Sequence, residues 1–242
     1  MAQPLKTWVM RKVNSCVGGR PLPEQRWLAR DWIRAYLQHR TGDLTTLQDL
    51  NMWSSPLARE HLPQHLAPEL VALWRDREHF LEGLDDFPRT VCHLDLHPAN
   101  VFGRDGQTVL IDWSFIGLGV VGEDPANLIP DAVLDFHVEP ALVEELYDVV
   151  LDGYLRGLHR AGWTGPDHTV VAAIDVLIAV KFSWLAPSML VSSQHPSLTI
   201  NGKRIDAALA VWAQLLPFLV KCAQRTREYL AQPRLGGADI PV

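Results

Sequence analysis

Cysteine is scarce in this chain of 242 residues: only Cys16, Cys92 and Cys222 occur, odd in number, far apart and without a C-x-x-C pair. That pattern excludes a disulfide framework and a structural zinc site, and makes a reducing cytoplasm the expected compartment. Positive charge is also in deficit. The 22 Lys and Arg stand against 28 Asp and Glu, for a net charge of -6, with the basic residues scattered among the acids. Such a surface gives nucleic acid no electrostatic footprint. Long apolar runs are missing as well. Residues 1–14 mix Lys6, Arg11 and Lys12 with apolar side chains and lack a signal-peptide core. The most apolar stretches, 170–191 and 207–220, are interrupted by Asp175, Lys181 and Pro187 and by Gln214 and Pro217, which argues against a membrane span. No repeat or low-complexity segment is present. A composition of 48% hydrophobic and 21% charged residues remains, enough for a full core in one domain or two small ones.

Periodicity predicts mostly helices. After a Gly-Gly-Arg-Pro turn at 18–21, an amphipathic run opens at Pro23 with Trp27, Leu28, Trp32, Ile33, Tyr36 and Leu37 on one face. A second helix is expected over 68–84, with Leu70, Leu73, Trp74, Phe80 and Leu81 inward, and residues 41–64 read as loops and short helical pieces. Around the Asp105-Gly106 turn, two short β-type runs signal a hairpin that folds Asn100 back toward Asp112. Helices are then expected over 125–136, 140–161, 168–185 and 203–231, the last interrupted at Pro217. The segment 170–185 is apolar on nearly all sides, as in the centre of a helical bundle. Trp27, Trp32, Trp74, Trp184 and Trp212, at helical spacing, are expected in the core rather than in an aromatic ligand cage. His61, His65, His137, His159, His168 and His195 show no metal-ligand spacing and read as surface or capping residues.

Chemistry concentrates in His93-Leu94-Asp95-Leu96-His97-Pro98-Ala99-Asn100 and in Ile111-Asp112-Trp113. An Asp, an Asn five positions on and a second Asp after a short turn is the spacing that gives kinase-type enzymes a catalytic base and two Mg²⁺ ligands. Asp95 is the candidate to accept or orient a hydroxyl proton. Asn100 offers a neutral oxygen and Asp112 an anionic one, a hard pair suited to Mg²⁺. His93 and His97 are expected to brace the loop.

These residues resemble the aminoglycoside phosphotransferase family, relatives of the choline and protein kinases, whose His-Gly-Asp-x-His-x-x-Asn and Ile-Asp-Trp pattern is met at His93, Asp95, His97, Asn100, Ile111, Asp112 and Trp113. Leu94 stands where that family has Gly, a change expected to be mild at a position used for its backbone. Asn127, within Gly122-Glu123-Asp124-Pro125-Ala126-Asn127-Leu128, stands where the family has a second, loop-anchoring Asp. The resemblance implies a mainly α (α+β) fold: the helical C-terminal lobe of the protein-kinase-like fold, with a small β-hairpin carrying the metal-site residues. It also implies transfer of the ATP γ-phosphate to a hydroxyl of a small molecule, with ATP and Mg²⁺ as cofactors and neither nucleic acid nor membrane as partner. Glu123, Asp124 and Asp131, with Asp135, lie where relatives gather negative charge toward a polyhydroxyl or cationic substrate; a solvated helix N-terminus reads equally well.

The same resemblance implies an absence. In the family a β-rich lobe with a Gly-rich loop and a strand Lys precedes these helices. Only 92 residues precede His93 here, and they read as helical, without a Val-Ala-Ile-Lys-like strand. Residues 1–22 are therefore expected to be a remnant of the inter-lobe segment and 23–242 the helical lobe, completed by self-association or by a separately supplied lobe. A non-catalytic ligand- or partner-binding module is the alternative, and a metal-hydrolase cluster of His93, Asp95, His97 and Asp112 a third. Gly117-Leu118-Gly119-Val120-Val121-Gly122 also fits G-x-G-x-x-G, but without succeeding β-α-β units it reads as a flexible substrate-side loop rather than a dinucleotide fingerprint.

Overall fold

The structure is a computed structural model that describes residues 25–38, 43–105 and 107–232. The Gly-Gly-Arg-Pro turn, Cys16 and the start of the first amphipathic run lie outside those residues. The first helix, α1, covers Trp32–Gln38. It starts later than periodicity suggests because residues 25–30 are drawn into backbone pairing: Ala29 donates to Ile116 O (3.1 Å) and accepts from Leu118 N (2.9 Å). Asp31 then turns the chain at φ 52°. Trp27, expected in the core, is left 69% exposed before that turn.

Three short helices follow, α2 Leu44–Gln48, α3 Leu50–Trp53 and α4 Pro56–His61, as the weak periodicity of 41–64 suggested. Each starts on a side-chain cap, from Asp43, Asp49 and Ser55 respectively, which satisfies amide groups that such short helices cannot. Helix α5, Ala67–Gly83, buries Leu70, Leu73, Trp74, Phe80 and Leu81, as its spacing requires. Strand β1 (Arg89–Cys92) leads into the 93–100 loop. The hairpin of β2 (Val101–Arg104) and β3 (Gln107–Leu110) follows, with Val101 opposite Leu110. Strand β4 (Gly117–Val120) returns antiparallel to β1.

The remainder is helical: α6 Glu123–Leu134, α7 Val143–Arg160, α8 Asp167–Lys181 and α9 Leu185–Ser193. After a minimal hairpin of β5 (Thr199–Ile200) and β6 (Lys203–Arg204) come α10 Ile205–Trp212 and α11 Leu216–Leu230, with Pro217 in the first turn of α11. The helix expected over 168–185 ends at Lys181; Pro187 lies in the first turn of α9, where its missing amide has no helical partner to lose. Helix α8 is the axis of the bundle. Residues 172–181 are all buried, packed against α5, α6, α7 and α11. The two segments long and apolar enough to cross a membrane, Asp167–Ser193 and Ile205–Leu230, have 83% and 56% of their most apolar windows buried inside this fold.

One polar cluster sits within that axis. Asp175, 2% exposed, accepts from Arg225 Nε and Nη2 (2.7 and 2.6 Å) and from the Tyr147 hydroxyl (3.0 Å), tying α8 to α11 and α7. Removing one partner of a buried pair strands the other charge. Asp175→Asn is expected to lower unfolding stability by about 3 kcal/mol. A denaturant midpoint equal to that of the parent chain would contradict this.

Candidate active site

The loop carrying Asp95 is suspended from the first two turns of α6. Asp124, 4% exposed, receives His93 N at Oδ2 (3.0 Å) and Leu94 N at Oδ1 (2.9 Å). One turn later Asn127 Nδ2 donates to Leu96 O (2.8 Å), and its Oδ1 accepts from Lys181 Nζ on α8. The position held by a second Asp in the family pattern thus anchors the loop here through an amide. Glu123, also 4% exposed, accepts from Val120 N (2.9 Å) at the end of β4. Glu123 and Asp124 are accordingly turned to the backbone and do not line the cavity described below, which corrects their assignment to the substrate side. They could not sit there and also satisfy the amides beneath the loop.

Leu94 and Leu96, each 1% exposed, point inward, and Asp95 and His97 are left half-buried. Leu94 adopts φ 67°, in the left-handed region. The absence of Gly at this position is therefore no mild change: the side chain carries backbone strain and compensates by packing. A Cβ added at Gly117 or Gly119 would meet Leu94 at 2.8 and 2.9 Å, and would also lie 2.4 Å from Ala29 O and Glu123 Oε2 respectively. The glycines of the G-x-G-x-x-G run are thus close-packing positions: Gly117 and Gly119 lie in a buried strand, and Gly122 turns at φ 102° into α6. The expected flexible substrate-side loop is not what they form.

Around the loop the hairpin closes as its turn predicted, with Ile111 N donating to Asn100 O (3.2 Å) and His93 Nε2 donating to Ile111 O (2.8 Å). The His93 ring also packs on Trp113, centroids 4.7 Å apart. Asn100 is buried, and its Nδ2 donates to Asp95 O (2.9 Å) and more weakly to Asp95 Oδ2 (3.5 Å). With the nitrogen committed, the amide oxygen is the atom left to bind a cation. Asp112 is exposed, at φ 56°, and accepts from the Ser114 hydroxyl (2.5 Å). That hydroxyl, with the Ser114 amide, holds its carboxyl below the usual range, so it is anionic throughout the physiological range. His97 bridges two acids, with Nδ1 3.5 Å from Asp135 Oδ2 and Nε2 4.0 Å from Asp95 Oδ2.

Beside Asp95 opens a cavity of about 300 Å³. Asp131 from α6, Asp135 at the C-terminal cap of α6, Lys181 from α8, and Trp32, Tyr36, Trp184 and Trp212 line it. Burial pushes Asp131 up to about 6, opposed by Lys181, and lowers Lys181 from its ordinary value, opposed first by Asp131. Three tryptophans expected in the core are therefore half-buried cavity wall. Lys181 does carry a sequence signal: with Asp175 it is one of only two charged residues in the core helix α8 after its first turn.

The fold is mainly helical and kinase-like. A family model described as the phosphotransferase enzyme family matches residues 11–165, well over half of the chain, and the chain belongs to that family. Among solved structures it is similar to amicoumacin kinase hAmiN, solved in complex with AMP-PNP, Ca²⁺ and Ami, with a TM-score of 0.51 at 13% identity. That likeness, which is one of fold, covers 91% of this chain and 58% of the kinase's, so the chain spans little more than half of that enzyme's length. No curated protein matches the chain.

Two substitutions probe how the loop is held. Leu94→Ala keeps the strained φ and opens a cavity, at a cost of about 2–5 kcal/mol. Leu94→Gly removes the strain, so it should cost roughly 1 kcal/mol less than Ala despite being smaller; thermal unfolding that ranks Gly as the worse would refute the strain. Burial raises Glu123 to about 7 from 4.5. Its contribution to stability is therefore present below pH 4.5 and lost as pH rises through 7. Relative to the parent, Glu123→Gln, which keeps an acceptor for Val120 N, should gain on the order of 3 kcal/mol between those pH values. Parallel stability–pH curves for the two proteins would show that Glu123 titrates normally.

Proposed function

We propose that the chain is a phosphotransferase that moves the γ-phosphoryl group of ATP to a hydroxyl of a small polyhydroxyl or amine-bearing molecule. The observation that carries this reading is the grouping of Asp95 with Asn100 at one end of the cavity, and of Asn100 with the Ile111-Asp112 turn, by direct hydrogen bonds. Phosphoryl transfer asks for positioning and charge compensation more than covalent help. Asp95 orients the acceptor hydroxyl and takes its proton as the oxygen bonds to the γ-phosphorus and the bridging oxygen leaves with ADP. Asn100 and Asp112 supply one neutral and one anionic hard oxygen, a donor set that fits Mg²⁺. Mg²⁺ held there would offset negative charge on the phosphate oxygens. His97 stands between Asp95 and Asp135, 4.0 and 3.5 Å from their carboxylate oxygens, and braces the loop.

The cavity supports the acceptor class. Aromatic faces of Trp32, Tyr36, Trp184 and Trp212 stack on sugar rings or on cations, and Asp131 and Asp135 attract amines. The cytoplasm, where ATP is abundant and buried thiols such as Cys92 and Cys222 stay reduced, is the compartment this chemistry suits.

Calorimetric titration with Mg²⁺-ATP separates this reading from a lobe kept only for binding partners. The parent chain is expected to give a saturable heat that falls at least tenfold in affinity in Asp112→Asn, because the substitution removes the one anionic ligand. Absence of heat at millimolar nucleotide, or equal affinities, would sink it.

A further inference from the structure

Lys181 is 4% exposed, and among the described residues its ammonium makes one hydrogen bond, to Asn127 Oδ1, with its Nζ 4.9 Å from the Tyr36 ring centroid. Among the described residues no carboxylate comes within salt-bridge distance of it. The acids that favour its charge act from farther away, and two of them, Glu123 and Asp124, are occupied by backbone amides. An ammonium has three donors, so two remain for whatever enters the cavity. Buried cations are normally paired, so these two donors call for anionic oxygens. A purely anionic guest would meet Asp95, Asp131 and Asp135 on the same lining and be repelled. Asp131 is half-buried, its carboxylate makes no hydrogen bond to any described residue, and it is open to an ammonium, with the Trp184 and Trp212 rings lining the same space.

We propose that the acceptor is a zwitterion: a hydroxyl-bearing molecule whose anionic group is held by Lys181 and whose ammonium is held by Asp131. Lys181 is then a specificity-determining residue that selects a carboxylate or other anionic oxygens on a molecule already carrying an amine. This rests on the reading of Asp95 as the partner of the acceptor hydroxyl, and it is tested without nucleotide, so failure of phosphoryl transfer and failure of this site are told apart.

The probes are L-serine, ethanolamine and 3-hydroxypropionate, which share the hydroxyl and differ only in carrying both charges, the ammonium alone or the carboxylate alone. Binding is read from tryptophan fluorescence, since Trp32, Trp184 and Trp212 line the cavity. Serine is expected to bind about tenfold more tightly than either fragment, equivalent to about 1.4 kcal/mol. Lys181→Gln, which keeps a donor for Asn127, should bring serine down to the level of ethanolamine while leaving ethanolamine unchanged, and Lys181→Met should do the same. Asp131→Asn should bring serine down to the level of 3-hydroxypropionate. Serine no better than ethanolamine in the parent chain would overturn the proposal. So would equal weakening of all three probes in both Lys181 variants, or no binding of any probe at its solubility limit.

Discussion

The site depends on one constraint: the backbone of the 93–97 loop has no sheet or helix to satisfy it, and helix α6 supplies the missing partners. A loop at the floor of a cleft buries amides and carbonyls that must find hydrogen bonds or cost about 1–3 kcal/mol each. Asp124 takes two of the amides and Asn127 gives its own N–H to a carbonyl. Because both residues lie in the first two turns of one helix, the loop is fixed relative to α6 as a rigid unit. Asp124 also lies in the first turn of α6, where the helix dipole favours an acidic side chain. The positions of Asp95 and Asn100 follow from this suspension, and so does the tolerance of φ 67° at Leu94, whose amide is pinned by Asp124 and whose side chain is packed against glycines of β4.

How much of this the sequence disclosed differs by element. The hairpin was legible because Asp-Gly between two β-type runs specifies a turn by local chemistry alone. Helix α5 was legible from the spacing of its apolar residues, and the buried axis α8 because it is apolar on nearly all sides. The early turn at Asp31 was not, since the pull on residues 25–30 comes from a strand almost ninety positions later in the chain. For the same reason Trp27 was misplaced, having the right spacing for a helix face that tertiary pairing dissolves. The acids Glu123 and Asp124 were recognised as chemically important, but sequence gives no way to tell a carboxylate aimed at solvent from one consumed by an amide below it.

Glycine misled in the opposite direction. A run spaced G-x-G-x-x-G suggests a mobile loop or a phosphate cradle, yet here the first two glycines are defined by what lies against them, Ala29 and Leu94 at one and Leu94 and Glu123 at the other. Their role is absence of volume, which becomes visible only when the packed neighbours are known. The strain at Leu94 belongs to the same set: β4 has no side chains at those two positions because the loop above it brings a leucine where a glycine would have left a void.

The exchange of Asp for Asn at position 127 ties the loop to the electrostatics of the cavity. A carboxylate there would face Lys181 as a buried ion pair, and it would have no hydrogen to give to Leu96 O. The loop would lose a bond and the ammonium would be neutralised in place. An amide does both jobs with its two ends, donating to Leu96 O and accepting from Lys181, and it does so without cancelling a charge. The cation is thereby held at the cavity by a neutral partner, its positive charge balanced only at a distance, first by Asp131 and then by Glu123, Asp95 and Asp124. A buried charge kept in that state is stable only where a counter-charge can be brought to it, which links the residue that anchors the 93–97 loop to the ammonium proposed to hold the anionic group of an acceptor.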